Sequence, residues 1–186
     1  MSTAVAKLLL DPVRILVNRD EGILMRAPHF FVKISEDQKP AVLQASFASL
    51  SVEKLFILCR DINRIAGNSW SGGFYYMKES MGAYDCQEVL RKFKDHYRNK
   101  TALVTTSGVL PNATILNENI PLINYDVPNN VEDYIKRIND WRDANLNYHN
   151  MIVTFVAADT NEMQILHDFE RYYDVRIVSL TLIDEK

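Results

Sequence analysis

The amino-acid sequence predicts an α/β domain in three layers, with a mostly parallel central sheet flanked by helices on both faces. Two observations lead to this prediction. Lys54–Cys59 is a continuous apolar run, as expected of a strand that is buried on both faces. Tyr84–Arg98 carries its apolar side chains along one helical stripe and its charged residues elsewhere. Segments of these two kinds alternate along the chain, which is typical of βαβ units.

The remaining elements follow the same alternation. Pro40 supports the start of an early helix, and Asn129 or Asn130 can cap a later one. Asp159 and Glu162 form a capping-box pattern before the last helix. The further predicted strands are Val13–Val17, His29–Ile34, Gly73–Met77, Thr101–Thr106, Ile120–Val127, Asn150–Ala157 and Val175–Leu182. The further predicted helices are Gln38–Leu50, a helix with Val131, Tyr134, Ile135, Ile138 and Trp141 on its apolar face, and Thr160–Tyr173.

Length and composition favour one ordinary globular domain over residues 1–186, with residues 1–10 as a flexible N-terminus. The net charge of −3 argues against a nucleic-acid binder driven by overall charge, although it leaves a local basic stripe open. Cys59 and Cys86 lie in apolar contexts and are predicted to be small buried residues. The N-terminal apolar run is too short for a signal peptide or a membrane span, so we expect a cytoplasmic or nuclear protein without membrane contact.

The sequence lacks the motifs that carry common chemistry. Its six glycines form neither GxxxxGK nor GxGxxG, and its four histidines form neither HxxxH nor HExxH. Ser107 precedes Gly108 without the GxSxG pattern of a nucleophilic serine. We therefore predict no catalytic residue, no bound cofactor and no metal ligand.

Ligands of parallel sheets bind outside the carboxyl ends of the strands, which directs attention to the loops Arg60–Asn63, Ser107–Asn117 and Trp141–Asn150. Aromatic side chains at such places can anchor a partner protein. The alternative for Trp141 is that it completes the apolar stripe of its own helix. The candidate partner contacts are Trp141, Arg142, Tyr148, Pro111 and Asn112.

Three stretches, Asp11–Glu21, Leu122–Ile138 and Met151–Ile177, resemble the C-terminal RecA-like lobe of DEAD-box RNA helicases. They are most similar to the translation initiation factor 4A group, and the segments NYDVPNN and DFERYY are the most specific. The resemblance covers nearly the whole chain and implies the RecA-like α/β fold. It also implies, for active members, a second lobe and a cleft between the lobes that binds ATP and RNA.

The chain departs from this family at the positions that carry its chemistry. The family's HRIGRxGR falls on residues 136–143, where Asp140 and Asp143 replace the two arginines that would stabilise the transferring phosphate. Placing an anion beside a polyphosphate turns attraction into repulsion. Only Arg137 matches an arginine of the motif, and Trp141 stands close to it in the sequence. The family's ARGxD falls on residues 112–116 and its QxxR on residues 83–86, and both motifs are lost.

The resemblance and its departures together predict a degenerate helicase lobe that is not an enzyme. We expect a protein-interaction or regulatory module in RNA- or translation-related complexes, with a helical-repeat scaffold of the factor-4G type as its partner and self-association as a variant. The alternatives are an RNA-binding module without ATPase activity and one half of a split helicase. Candidate RNA or phosphate contacts are Arg137, Arg91 and Lys94, although a solvated helix face is the better explanation of the last two.

Overall fold

The computed structural model of the chain describes residues 27–68, 70, 73–96, 100–109, 120–144, 150–158 and 160–180. The predicted strand Val13–Val17 lies outside these residues. The strands are β1 (His29–Ile34), β2 (Lys54–Leu58), β3 (Gly73–Met77), β4 (Thr101–Thr105), β5 (Leu122–Asn124), β6 (Ile152–Ala157) and β7 (Ile177–Ser179). The helices are α1 (Lys39–Ser49), α2 (Asn63–Ala66), α3 (Ala83–Lys94), α4 (Val131–Ala144) and α5 (Glu162–Tyr173).

The described strands form one sheet in the order β3-β4-β2-β5-β6-β1-β7, and every pairing in it is parallel. Phe56 of β2, for example, is in register with Leu103 of β4 on one side and Leu122 of β5 on the other. Since all strands run the same way, their carboxyl ends meet at one edge of the sheet. The predicted parallel α/β architecture is confirmed.

Helices cover both faces of the sheet. Along β2, Phe56 and Leu58 point into the cluster that contains α3, α4 and α5, whereas Leu55 and Ile57 point into the cluster that contains α1 and α2. This alternation follows from the two-residue period of a strand, and it explains why β2 is apolar from Leu55 to Leu58, after Lys54 at its start. The three-layer prediction is therefore confirmed.

Several elements are shorter than predicted. The predicted strand Ile120–Val127 forms ladder pairs only over Leu122–Asn124. Beyond it, the backbone N–H of Arg60 donates to the side chain of Asp126 instead of to a strand carbonyl, so the ladder ends. Asn130 caps α4 as predicted, because its side-chain oxygen accepts the backbone N–H of Asp133 at 2.8 Å. None of the described helices combines the length and apolar character needed to cross a membrane.

Candidate functional site

The carboxyl edge of the sheet holds a buried ion pair between Asp126, just after β5, and Arg137, in the middle of α4. Asp126 is fully buried and Arg137 is 2% exposed. One guanidinium nitrogen of Arg137 lies 2.9 Å from Oδ1 of Asp126, and the other donates to the backbone oxygen of Asp126 at 2.7 Å. The same carboxylate accepts the backbone N–H of Arg60 at 2.9 Å. This geometry fixes the N-terminal half of α4 against the ends of β2 and β5.

The pair extends into a network across the strand ends. Arg60 lies 3.6 Å from Asp126 and 3.3 Å from Glu162, and it also donates to the side chain of Asn129 at 3.1 Å. Glu162, at the start of α5, accepts the backbone N–H of Ala157 at 2.7 Å. Asp159, its predicted capping-box partner, lies outside the described residues. Arg60 and Glu162 thereby join the ends of β2, β5 and β6.

The far end of the network lies beside β1. The fully buried ammonium of Lys39 is 4.0 Å from Glu162 and 2.6 Å from Glu36, and Arg64 also pairs with Glu36. Burial opposes ionisation of Glu36, but the hydrogen bonds and charges of Lys39 and Arg64 outweigh it and lower the pKa of this carboxyl. The cations along this part of the edge are thus held by the protein's own carboxylates.

A second feature of the same edge is the turn after β4, which we call the Gly108 turn and which comprises Ser107 and Gly108. The backbone N–H of Gly108 donates to Oδ2 of Asp140 on α4 at 2.8 Å. Gly108 has a φ of 83°, a conformation that favours glycine. Just before the turn, the hydroxyl of Thr106 donates to Glu79 at 3.0 Å. Carboxylates therefore approach the end of β4 from both α4 and the end of β3.

Trp141 is a core residue, which corrects its assignment as a partner contact. It is 2% exposed, and its indole N–H donates to the backbone oxygen of Ile120 at 2.8 Å. It belongs to the same apolar cluster as Tyr134 and Ile138 of α4. The sequence alone could not decide between a partner contact and a core residue at Trp141. The residue that receives its indole N–H, Ile120, lies before β5 and is distant in the sequence. Completion of the apolar stripe is the alternative that the structure confirms.

The other predicted contacts fall into two groups. Arg142 is half-buried at the end of α4. Tyr148, Pro111 and Asn112 lie outside the described residues. They stay predictions.

The basic residues of α3 form a solvent-facing surface with its own acidic partners. Both guanidinium edges of Arg91 are used, by Glu88 at 2.8 and 2.9 Å and by Asp95 at 3.2 Å. The hydrogen bond from Arg91 lowers the pKa of Glu88 to about 2. The backbone oxygen of Lys94 accepts the buried ammonium of Lys54 at 2.8 Å, while the Lys94 side chain is half-buried. Arg91 is thus committed to carboxylates in this conformation.

Both cysteines are buried, as predicted. Burial, with a further contribution from the charge of Asp126, raises the pKa of Cys59 to about 12, so this thiol stays protonated at neutral pH. The described residues contain no group of three His, Cys, Asp or Glu side chains placed to hold a metal ion.

The sequence placed Arg60 in one of the loops at this edge and Glu162 in a capping box, but it did not indicate the ion pairs that join Arg60, Lys39 and Glu162. Each is a charged residue at or near an element end, and that is a weak signal by itself. The buried position of Asp126 was detectable in principle, because it stands among apolar residues inside the predicted strand Ile120–Val127.

Comparison with known proteins gives relatives of one kind. No family model matches the chain. The chain is 29% identical over 178 residues to the ATP-dependent RNA helicase FAL1 of Mycosarcoma maydis and to eukaryotic initiation factor 4A-3 of Nicotiana plumbaginifolia. Each match covers 92% of the chain, but only 43% and 44% of the respective relative. The chain therefore spans less than half the length of these curated relatives.

Solved structures agree with the sequence relatives. The C-terminal domain of the DEAD-box protein Dbp5 aligns with a TM-score of 0.66 and 16% identity, over 84% of this chain and 91% of that domain. The same domain from S. cerevisiae, in a structure bound to Gle1, aligns with a TM-score of 0.63 and 15% identity, over 85% of this chain and 92% of that one.

Proposed function

Because this chain has the RecA-like fold of DEAD-box C-terminal domains and resembles the factor 4A helicases over most of its length, we propose that it is a catalytically inactive member of that type of domain. Its role is that of a protein-interaction or regulatory module in RNA- or translation-related complexes. Fold alone does not specify function, so the proposal depends on the residues at the carboxyl edge.

One observation carries the proposal. Arg137, the only arginine that matches the family's phosphate-contacting motif, is buried and held by Asp126. A further matching position carries Asp140, whose carboxylate accepts the backbone N–H of the Gly108 turn. A guanidinium acts on a transferring phosphate only if it reaches the developing charge. At these positions the edge instead holds the carboxylates of Asp126 and Asp140. Their presence supports the proposal that the domain keeps the fold but does not hydrolyse a nucleotide.

Binding of a protein partner agrees with what is known of similar domains. The solved neighbours include the C-terminal domain of Dbp5 bound to Gle1 and the DEAD-box protein SrmB bound to the regulator RraA. We propose a helical-repeat scaffold of the factor-4G type as the partner of this chain. Arg142, Tyr148, Pro111 and Asn112 remain the proposed contacts, and Trp141 is withdrawn.

The first test measures nucleotide binding. Fluorescent ATP titrated into the chain at low salt should give no saturable signal, and no phosphate should be released with RNA present. An intact factor 4A helicase in the same buffer is the positive control. Saturable ATP binding by the chain alone, or ATP hydrolysis after addition of a separate N-terminal lobe, would overturn the proposal and favour a split helicase.

The second test measures partner binding. A factor-4G-type helical-repeat fragment should be retained by the wild-type chain and by Arg91→Ala, a control at an exposed ion pair on α3. Tyr148→Ala and Arg142→Ala should retain less of it. Equal retention by all variants would remove these contacts, and light scattering of the chain alone would reveal self-association.

RNA binding is the outcome that would favour the alternative function. The pairing of Arg91 with Glu88 and Asp95 argues against it, because phosphate contacts would have to displace those carboxylates. A filter-binding assay with single-stranded RNA at low salt should therefore show little retention. Retention that falls steeply with added salt would replace the proposed function with RNA binding.

A further inference from the structure

The described sheet ends at two strands of different character, β3 on one side and β7 on the other. β7 pairs over only three residues, Ile177–Ser179, and the exposed Arg176 directly precedes it. Short length and a charged side chain both discourage an edge strand from pairing with another chain. β3 is five residues long, Gly73–Met77, and contains neither a charge nor a proline. The outer side of β3, which we call the β3 edge, therefore lacks the protection that β7 has.

Phe74 and Tyr76 direct their backbone groups away from the sheet. The backbone N–H of Gly73 donates to the backbone oxygen of Lys100, which directly precedes β4. Gly73 thus faces β4 with its backbone groups. Because this direction alternates from one residue of a strand to the next, the N–H and C=O groups of Phe74 and Tyr76 point outwards. No strand in the described part of the chain pairs with them.

Aromatic rings lie on both faces of β3 beside these outward groups. On one face, the rings of Phe74 and Trp70 are stacked with their centroids 4.9 Å apart, and Tyr76 packs against the same apolar cluster. On the other face, Tyr75 lies edge-on to Phe93, with ring centroids 6.2 Å apart. All three aromatic residues of β3 are only half-buried. The β3 edge thus combines apolar surface with backbone donors and acceptors, which is what an added strand binds.

We propose that the β3 edge pairs with the β3 edge of a second copy of this chain, antiparallel and related by a two-fold axis at Tyr75. This register aligns all five residues of both strands. Phe74 of one copy then lies opposite Tyr76 of the other, and each such pair exchanges both of its outward backbone hydrogen bonds. The strand is therefore complementary to itself, as a two-fold interface requires. Since β3 is uncharged, the axis brings no like charges of the strands together.

The first experiment compares Tyr76→Pro with Tyr76→Ala by sedimentation equilibrium of the full chain. Both variants lose the same ring, but only proline lacks the N–H that the proposed pair requires. Proline is tolerated in an edge strand where the replaced N–H faces solvent, so the monomer should keep its fold. The wild type should dimerise reversibly, and Tyr76→Pro should associate about tenfold or more weakly than Tyr76→Ala. A monomeric wild type, or equal association of the two variants with unchanged circular dichroism, would overturn the inference.

The second experiment crosslinks the proposed axis and remains decisive if Tyr76→Pro does not fold. Residues at the axis form a non-hydrogen-bonded pair with Cα atoms about 4.5 Å apart, a separation that a disulfide spans. Under mild oxidation with diamide, Tyr75→Cys should form a covalent dimer, whereas Tyr84→Cys, at the exposed start of α3, should not. Cys59 and Cys86 are buried and are the same in both variants. Equal crosslinking of both variants, or none in either, would contradict the proposed pairing.

The inference does not rest on the proposed loss of nucleotide chemistry, and the two fail in different experiments. ATP binding by the wild-type chain would overturn the proposed function and leave the pairing of β3 intact. A chain that stays monomeric would overturn the pairing and leave the proposed function intact.

Discussion

Arg137 and Arg91 make the same chemical contact in two different environments. Each guanidinium faces a carboxylate at about 2.9 Å, Asp126 for Arg137 and Glu88 for Arg91. The Asp126 pair is almost completely buried, whereas the side chain of Arg91 is 60% exposed. Removing one partner of a buried pair strands an unpaired charge, but the exposed pair has water as an alternative partner. Distance alone therefore says little about what each pair contributes.

The largest effect is expected from Asp126→Ala. This change leaves the buried guanidinium of Arg137 without its carboxylate and removes the acceptor of the Arg60 N–H. The free energy of unfolding should fall by about 3–5 kcal/mol. Urea denaturation followed by circular dichroism measures it. Glu88→Ala is the matched control at the exposed pair and should lower the urea midpoint far less, so a similar loss in both variants would contradict the comparison.

The two tryptophans extend the comparison to a neutral hydrogen bond. Trp141 and Trp70 each donate their indole N–H to a backbone oxygen at 2.8 Å, but Trp141 is buried and Trp70 is only half-buried. Trp141→Phe should cost about 2 kcal/mol, because the oxygen of Ile120 is left buried without this donor. Trp70→Phe should cost roughly half as much. Thermal melts of both variants test this, and a larger loss at Trp70 would reverse the order.

Glu162→Gln tests the middle of the ion-pair network. Glutamine has the same shape and keeps an acceptor for the N–H of Ala157, but it loses the charge that faces Lys39 and Arg60. Glu36 still neutralises Lys39, so the expected loss is about 1 kcal/mol. Urea denaturation at pH 7 measures it, with Glu132→Gln at the exposed start of α4 as a control for the loss of one carboxylate charge. An unchanged midpoint in Glu162→Gln would mean that the charge contributes nothing.

The exposed pair of Arg91 and Glu88 should have the smallest effect on stability. Its effect should instead be seen in the pKa of Glu88. The folded-state pKa of Glu88 is lowered from its ordinary value of 4.5 to about 2, chiefly by the hydrogen bond from Arg91. The stabilisation that ionised Glu88 gives the folded state is therefore present above pH 4.5 and is lost as the pH falls towards 2. In Arg91→Ala the midpoint should move up towards 4.5. Carbon-detected NMR of the Glu88 carboxyl measures this titration midpoint. Identical midpoints in the wild type and in Arg91→Ala would show that Arg91 does not lower the pKa of Glu88.

Short-range patterns in the sequence determined most of the fold. The apolar run of β2, the stripes of α3 and α4 and the Asn130 cap depend on residues within one or two helical turns, and all of them are confirmed. Parallel strands follow from the same alternation, because a helix between two strands returns the chain to the same edge. The resemblance of the sequence to DEAD-box C-terminal lobes further predicted that this α/β fold is RecA-like. The solved C-terminal domain of Dbp5 has the same fold.

Only the tertiary structure decided which charges meet. Arg60 reaches Asp126 across 66 residues and Glu162 across 102, while Gly108 reaches Asp140 across 32. These contacts depend on the strand order, which places β2 beside β5 and β6 beside β1 and which local periodicity does not specify. For the same reason, the sequence could not settle whether Arg137 and Trp141 are buried. Both lie on α4, and the partners that take them out of solvent, Asp126 and Ile120, are supplied by the chain before and after β5.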